Sequence, residues 1–182
     1  MLKDAGLKFK KKAADINETR LKRSFNFKTY HSLALMLAEA KAKKISLTYP
    51  KSYIIGADQI CVFRNKVINK PGNKTKAIKQ LMLLQGKQHD QISAFCLYFN
   101  NKLVAKGYDK TSLTMRKLSL CNIKNYIDED IPLQSCGSYM FEKKGYLLFS
   151  EVKGNNETIK GLPLTNLLDI LFKNNVISYA KA

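Results

Sequence analysis

Tyr53-Ile-Ile-Gly-Ala-Asp-Gln-Ile-Cys-Val-Phe63, followed by Arg64-Asn-Lys-Val-Ile-Asn-Lys-Pro71, is the stretch on which the fold turns. It sets one acidic residue, Asp58, inside an otherwise apolar run that reads as a strand. A carboxylate between two such blocks is costly to bury unless it meets a cation, a proton or a metal. Gly56 lets the backbone come close to a ligand or another segment. Arg64-Asn65-Lys66 is polar enough to turn the chain, and Val67-Ile68 returns as a short second strand. Lys70 is held extended by Pro71. An anionic and a cationic group therefore sit at the rims of one hairpin, which suits a metal-bound phosphate. A plain core hairpin with Asp58 at a strand end fits the same residues equally well.

Working outward, 182 residues fit one domain of ordinary size. The 45% hydrophobic content is globular rather than disordered. Lys and Arg total 32 against 14 Asp and Glu, a formal charge of +18. Such a field attracts polyanions, nucleotides included. Only Arg20, Arg23, Arg64 and Arg116 are arginines, however, and base-reading proteins favour the arginine fork. The lysines are spread along the chain and accompanied by abundant Asn and Ile, the bias an AT-rich genome produces. That compositional explanation outweighs a nucleic-acid role. Cys61, Cys96, Cys121 and Cys136 form no Cys-x-x-Cys pair, so no zinc pattern exists. With no signal peptide or membrane-length apolar span, the expectation is a cytoplasmic protein with reduced thiols and no membrane contact.

Upstream, Met1 to Gly6 reads as a helix end with Gly6 at C′, and Leu7 to Lys10 alternates as a strand. Asp15 to Thr19 is a polar, acidic turn, and Lys22 to Tyr30 a basic, mobile connection. Ser32 is a candidate cap for a helix with Leu33, Met36, Leu37 and Ala40 on one face and Lys41 and Lys44 beside or opposite it. Downstream, Asn73 or Thr75 caps a helix ending at Gly86. Two long strands, His89 to Phe99 and Leu103 to Met115, join at Asn100-Asn101. Ser119 caps a helix that ends in Asp128-Glu129-Asp130, a run expected to be solvated or paired with local lysines. Tyr146 to Val152 reads as a strand, Gly154 to Gly161 as a polar loop, and Leu164 to Leu171 as the last helix, with a less ordered tail from Lys173. Helices alternating with strands and two hairpins imply an α/β domain with a mixed sheet and flanking helices.

Several blocks coincide in order: Asp15-Ile-Asn-Glu-Thr19, Ala38-Glu-Ala-Lys-Ala42, Ile55-Gly-Ala-Asp-Gln59 with Asn69-Lys-Pro71, Leu83-Leu-Gln-Gly-Lys-Gln-His89, and Cys136-Gly-Ser-Tyr139 with Glu142 and Gly161-Leu-Pro-Leu164. Together they resemble the Maf family of nucleoside triphosphate pyrophosphatases, over roughly residues 2 to 172. The Asp58-Gln59 pair and the Gly-Ser-Tyr…Glu segment are most similar to the branch acting on 7-methyl-GTP. The resemblance implies a single domain over 1–182 with an elongated, inosine-triphosphatase-like α/β fold and a central cleft. It also implies a divalent ion, Mg²⁺ or Mn²⁺, and a homodimer. Asp58 matches the family's proton acceptor or metal-positioning carboxylate, and Glu18 the acidic loop that helps hold the metal. Lys41 and Lys70 match phosphate-contacting lysines, and Gln59 and Glu142 positions that tune base selection.

There are departures. The chain begins after the strand and Ser-x-Ser-Pro-Arg-Arg-like loop with which family members start, for which the expectation is a misplaced start site. Asn17 replaces the second Asp of Asp-x-Asp-Glu, and Asn69 stands where Gly is common. The resulting expectation is an enzyme that hydrolyses a nucleoside triphosphate, such as 7-methyl-GTP, to the monophosphate and pyrophosphate. Its competitors are a catalytically impaired nucleotide-binding protein of the same fold and a basic nucleic-acid-binding module.

Overall fold

A computed structural model describes residues 1–178. Strand β1 (Ile54–Phe63) turns at Arg64-Asn65 into β2 (Lys66–Ile68), with Cys61 opposite Ile68 and Phe63 opposite Lys66. Both turn residues have positive φ, 47° and 56°, the geometry of a two-residue hairpin whose twist matches its strands. Asn100 and Asn101, at φ 48° and 61°, do the same between β3 (Gln88–Phe99) and β4 (Lys102–Met115). Strand β5 (Phe149–Lys153) pairs antiparallel with β4 and slips register at Thr114/Met115. The sheet order is β2-β1-β3-β4-β5. The α/β class with flanking helices is as expected, and the pairing is antiparallel throughout the sheet.

The helices are α1 (Glu18–Ser24), α2 (Tyr30–Thr48), α3 (Lys74–Leu84), α4 (Leu120–Asp130), the short α5 (Asn156–Ile159) and α6 (Leu164–Lys173). The chain divides into two compact units. One takes in Met1–Asp58, Ser93–Asp109 and the chain from Gly161 onward. Its core gathers Phe95 and Leu97 of β3 with Leu167 and Leu171 of α6, edged by Leu2, Leu7 and Ile55. The other takes in Gln59–Ile92 and Lys110–Lys160. There Ala77, Leu81 and Leu84 of α3 meet Ile123, Tyr126 and Ile127 of α4 over Leu113, Met115 and Phe149. No helix among the described residues is long and apolar enough to cross a membrane.

Several local expectations are corrected. Leu7 to Lys10 is not a strand: it has no ladder partner, and Leu7 instead packs on the first unit's core. Gly6 does sit at C′, with Leu7 N donating to Leu2 O and Gly6 N to Lys3 O. Lys22 to Ser24 is helical, because Asn17 caps α1 through Arg20 N and Glu18 reaches Lys22 at 3.9 Å one turn on. Thr29, not Ser32, caps α2; its hydroxyl accepts from Ser32 N at 3.3 Å. Lys144–Leu148 is a 3-10 turn rather than the start of a strand, since Gly145 is pressed on the Met140 backbone. Asp128 and Glu129 pair with Lys74 and Lys144, but Asp130 is buried at 5% exposure. The chain after Lys173 stays attached through Val176 N to Leu171 O at 2.9 Å. The remainder of the expected loose tail, 179–182, lies outside the described residues.

Candidate active site

Gly56 and Asp58 alternate along β1 and so point to one face of the strand. Helix α2 lies on that face with its small residues. A Cβ at Gly56 would come within 2.3 Å of Ala38 O and 2.6 Å of Ala42 N, so only glycine admits the helix this closely. The buried row of α2 is Leu33, Ala34, Leu37, Ala38 and Ala42, one position round from the expected Met36/Ala40 face. That rotation sets Lys41, the neighbour of Ala42, over the strand. Its ammonium donates to Asp58 Oδ1 and lies 2.9 Å from Glu18 Oε1.

Glu18 reaches this point because the segment before α1 is tied to α2. Lys44 Nζ donates to the Asp15 carbonyl at 2.5 Å, one turn along from Lys41. Two lysines at i and i+3 therefore hold the acidic loop on the helix. The Asp58 side chain is 8% exposed, that of Lys41 25% and that of Glu18 31%. Burial raises the Asp58 pKa, and the opposing charge and hydrogen bond of Lys41 do not cancel the shift. Burial also disfavours the Lys41 ammonium, but Asp58 and then Glu18 outweigh it, and its pKa is raised. Glu18, Lys41 and Asp58, expected to act together, are thus brought together within the first unit.

Lys70, Gln59 and Glu142 belong to the second unit. Lys70 is exposed beside buried Pro71. Gln59 donates from Nε2 to Thr158 O at 2.9 Å and Ile159 O at 2.7 Å, which commits its amide to the α5 backbone. Glu142 is exposed in the turn before the 3-10 segment. The Cys136-Gly-Ser-Tyr139 segment before it is fixed from below. The Tyr139 hydroxyl accepts from Gln91 Nε2 at 2.7 Å and is hydrogen-bonded to His89 Nε2 at 2.9 Å; Ser138 Oγ donates to Gln80 Oε1 at 2.5 Å. Burial lowers the His89 pKa to about 4, so this imidazole is neutral at physiological pH.

Among the described residues there is no cluster of three or more His, Cys, Asp or Glu side chains able to hold a metal ion. Glu18 and Asp58 do offer carboxylate oxygens converging on one cationic group. That donor set fits Mg²⁺ or Mn²⁺, which take one or two carboxylates and complete their shell with waters and substrate oxygens. Arg20 and Arg23 are not among the residues expected at the site. With Asn17, Thr19 and Ser24 they line an open depression along α1, on a side of the helix that Glu18 does not share. The signal was available: two of only four arginines fall three residues apart beside the acidic turn.

A family model described as Maf-like protein matches residues 1–174. A nucleoside triphosphate pyrophosphatase of Legionella pneumophila (strain Philadelphia 1) is 38% identical over 177 residues, 97% of this chain and 88% of that protein. A 7-methyl-GTP pyrophosphatase of Bdellovibrio bacteriovorus is 39% identical over 146 residues, 80% of this chain and 76% of its own length. A nucleoside triphosphate pyrophosphatase of Pelagibacter ubique is 30% identical over 175 residues, 94% of this chain and 90% of that protein.

Proposed function

The chain belongs to the Maf family, and on that premise we propose that it is a nucleoside triphosphate pyrophosphatase. It cleaves the bond between the α- and β-phosphates, and water supplies the new oxygen of the monophosphate as pyrophosphate leaves. The observation that carries this reading is the meeting of Asp58, Lys41 and Glu18 on one face of β1 and α2.

Asp58 is the proton acceptor. Its raised pKa gives the carboxylate more affinity for a proton than an exposed aspartate has, which suits a base acting on water. Lys41 brings a compact positive charge that offsets the charge moving onto the leaving pyrophosphate. Glu18 and Asp58 would hold Mg²⁺ or Mn²⁺, which when bound supplies charge neutralisation on phosphate oxygens. Lys70 takes the further phosphate contact that the family resemblance gives it, and Arg20 and Arg23 add to the positive field along α1.

The base is 7-methyl-guanine in the finer form of this proposal. Support comes from the Asp58-Gln59 pair, from Glu142 after the Cys136-Gly-Ser-Tyr139 segment, and from the Bdellovibrio relative's name. A glutamate accepts hydrogen bonds from a guanine edge, and 7-methylation makes the purine as a whole cationic. A cytoplasmic homodimer accords with the family resemblance and with four free thiols.

The test is ³¹P NMR of the products from GTP, 7-methyl-GTP, UTP and dTTP with Mg²⁺ or Mn²⁺. Monophosphate and pyrophosphate are expected. Release of orthophosphate with a nucleoside diphosphate would place the cleavage at the other bond and overturn the proposal.

A further inference from the structure

Two carboxylates in the first unit address one ammonium. Glu18 Oε1 lies 2.9 Å from Lys41 Nζ, and Asp58 Oδ1 accepts from the same nitrogen. The lysine therefore occupies the point between the oxygens where a small hard cation would take both. An ammonium and a divalent ion repel strongly at such a separation and cannot share it. We propose that Lys41 is an exchangeable counter-ion: it holds Glu18 and Asp58 together, and it has to swing away before a divalent ion can enter between them. The inference rests on the pyrophosphatase reading of this same site.

Two features of the side chains and one of the metal ions support the exchange. Asp58 is 8% exposed, so its carboxylate, while ionised, is costly to leave without a cation beside it. Lys41 is 25% exposed and has a flexible four-carbon stem, which gives its head group a path outward that a rigid guanidinium fork would lack. Mg²⁺ and Mn²⁺ sites of this kind need only one or two carboxylates, so two oxygens suffice once the ammonium leaves.

The exchange also links metal to nucleotide. The two carboxylates and the ammonium together carry one net negative charge. With a divalent ion added they carry one net positive charge, which a phosphate oxygen then neutralises. Free metal is accordingly bound weakly, and metal arriving with a triphosphate is bound well. The displaced ammonium is left beside the incoming phosphates, which turns a structural counter-ion into a substrate contact.

The experiment is Mn²⁺ binding to nucleotide-free protein by titration calorimetry, comparing wild type with Lys41→Met and Lys41→Gln. The glutamine variant keeps a hydrogen-bond donor for Asp58. Both variants are expected to bind Mn²⁺ more tightly, by about tenfold or more, because a like charge has been removed from the site. Affinity equal to or weaker than wild type would overturn the proposal. A second measurement needs no variant: acetylation of Lys41 in the wild type, followed by mass spectrometry, is expected to speed up when Mn²⁺ is added, and an unchanged or slower rate would overturn it. If Asp58→Asn stops pyrophosphate release while the Lys41 variants gain no affinity, the exchange fails and the pyrophosphatase reading stands. If Asp58→Asn keeps full turnover, both fall.

Discussion

The methyl group that Gly56 lacks would sit 2.8 Å from the Cβ of Ala42 and closer still to the Ala42 backbone nitrogen. Strand β1 and helix α2 are therefore in contact with nothing but hydrogen atoms between them, and Lys41 is adjacent to that contact. The register of the helix on the strand decides whether Lys41 reaches Asp58, which lies 17 residues further along the chain.

Replacing Gly56 by Ala should push α2 off β1, because the nearest atoms are backbone and cannot rotate away. The cost expected for such overpacking is roughly 1–3 kcal/mol. It should appear as a lower midpoint in urea unfolding with an unchanged slope, together with lost turnover as Lys41 leaves Asp58. A Gly56→Ala protein of wild-type stability and activity would show that the close approach does not position the lysine.

The ion pair makes stability depend on pH in a defined sense. The folded-state pKa of Asp58 is raised above its unfolded value, mainly by burial. Its contribution is then most favourable at pH values below the ordinary aspartate range, and declines as pH rises from there through the folded pKa. Lys41 shifts in the same direction and has the same sign in a higher window: its raised pKa contributes stability that is full below the ordinary lysine range and is lost as pH rises from there through the folded pKa. Thermal unfolding in EDTA, from pH values below the ordinary aspartate range up to neutral, should show wild type losing stability relative to Asp58→Asn as pH rises. A difference that stays constant or grows in the wild type's favour contradicts this assignment.

Base choice is tested through the exposed carboxylate of Glu142. Glu142→Gln should lower kcat/KM for 7-methyl-GTP relative to UTP and dTTP, since the amide removes the negative charge offered to a cationic purine. Neither folding nor metal binding should change, because the residue is exposed and lies outside the Glu18–Asp58 group. An unaltered ratio of the substrates removes Glu142 from base selection.

What could be read from the residues alone follows how local each signal is. Asn100-Asn101 favours positive φ and Arg64-Asn65-Lys66 is polar enough to turn the chain, and both mark hairpins that form. Ser119 marks the start of α4 as its cap, and the structure adds Asn122 to make a capping box. The Asp58 carboxylate stood out because it interrupts an apolar strand. Its partner did not, since nothing in the spacing of Lys41 and Asp58 brings a helix and a following strand together; the pairing came from the family resemblance. The physical signal was a matching row of small residues, Ala34, Ala38 and Ala42 on α2 against Gly56 on β1. Helix α1 is hard to read because seven residues carry little periodicity, although Asn17 is a legible cap candidate. The acidic run reads as solvated or paired with local lysines, whereas Asp130 within it is buried at the end of α4.

Pyrophosphate release by wild type and Asp58→Asn, at saturating nucleotide and Mn²⁺ and with folding checked by circular dichroism, tests the central claim most directly. Losing a positioned base should cut turnover by roughly 10²–10⁴-fold with the fold retained. An Asp58→Asn protein that is folded and releases pyrophosphate within twofold or so of the wild-type rate would contradict the assignment of Asp58, and with it the catalytic role of the Glu18–Lys41–Asp58 group.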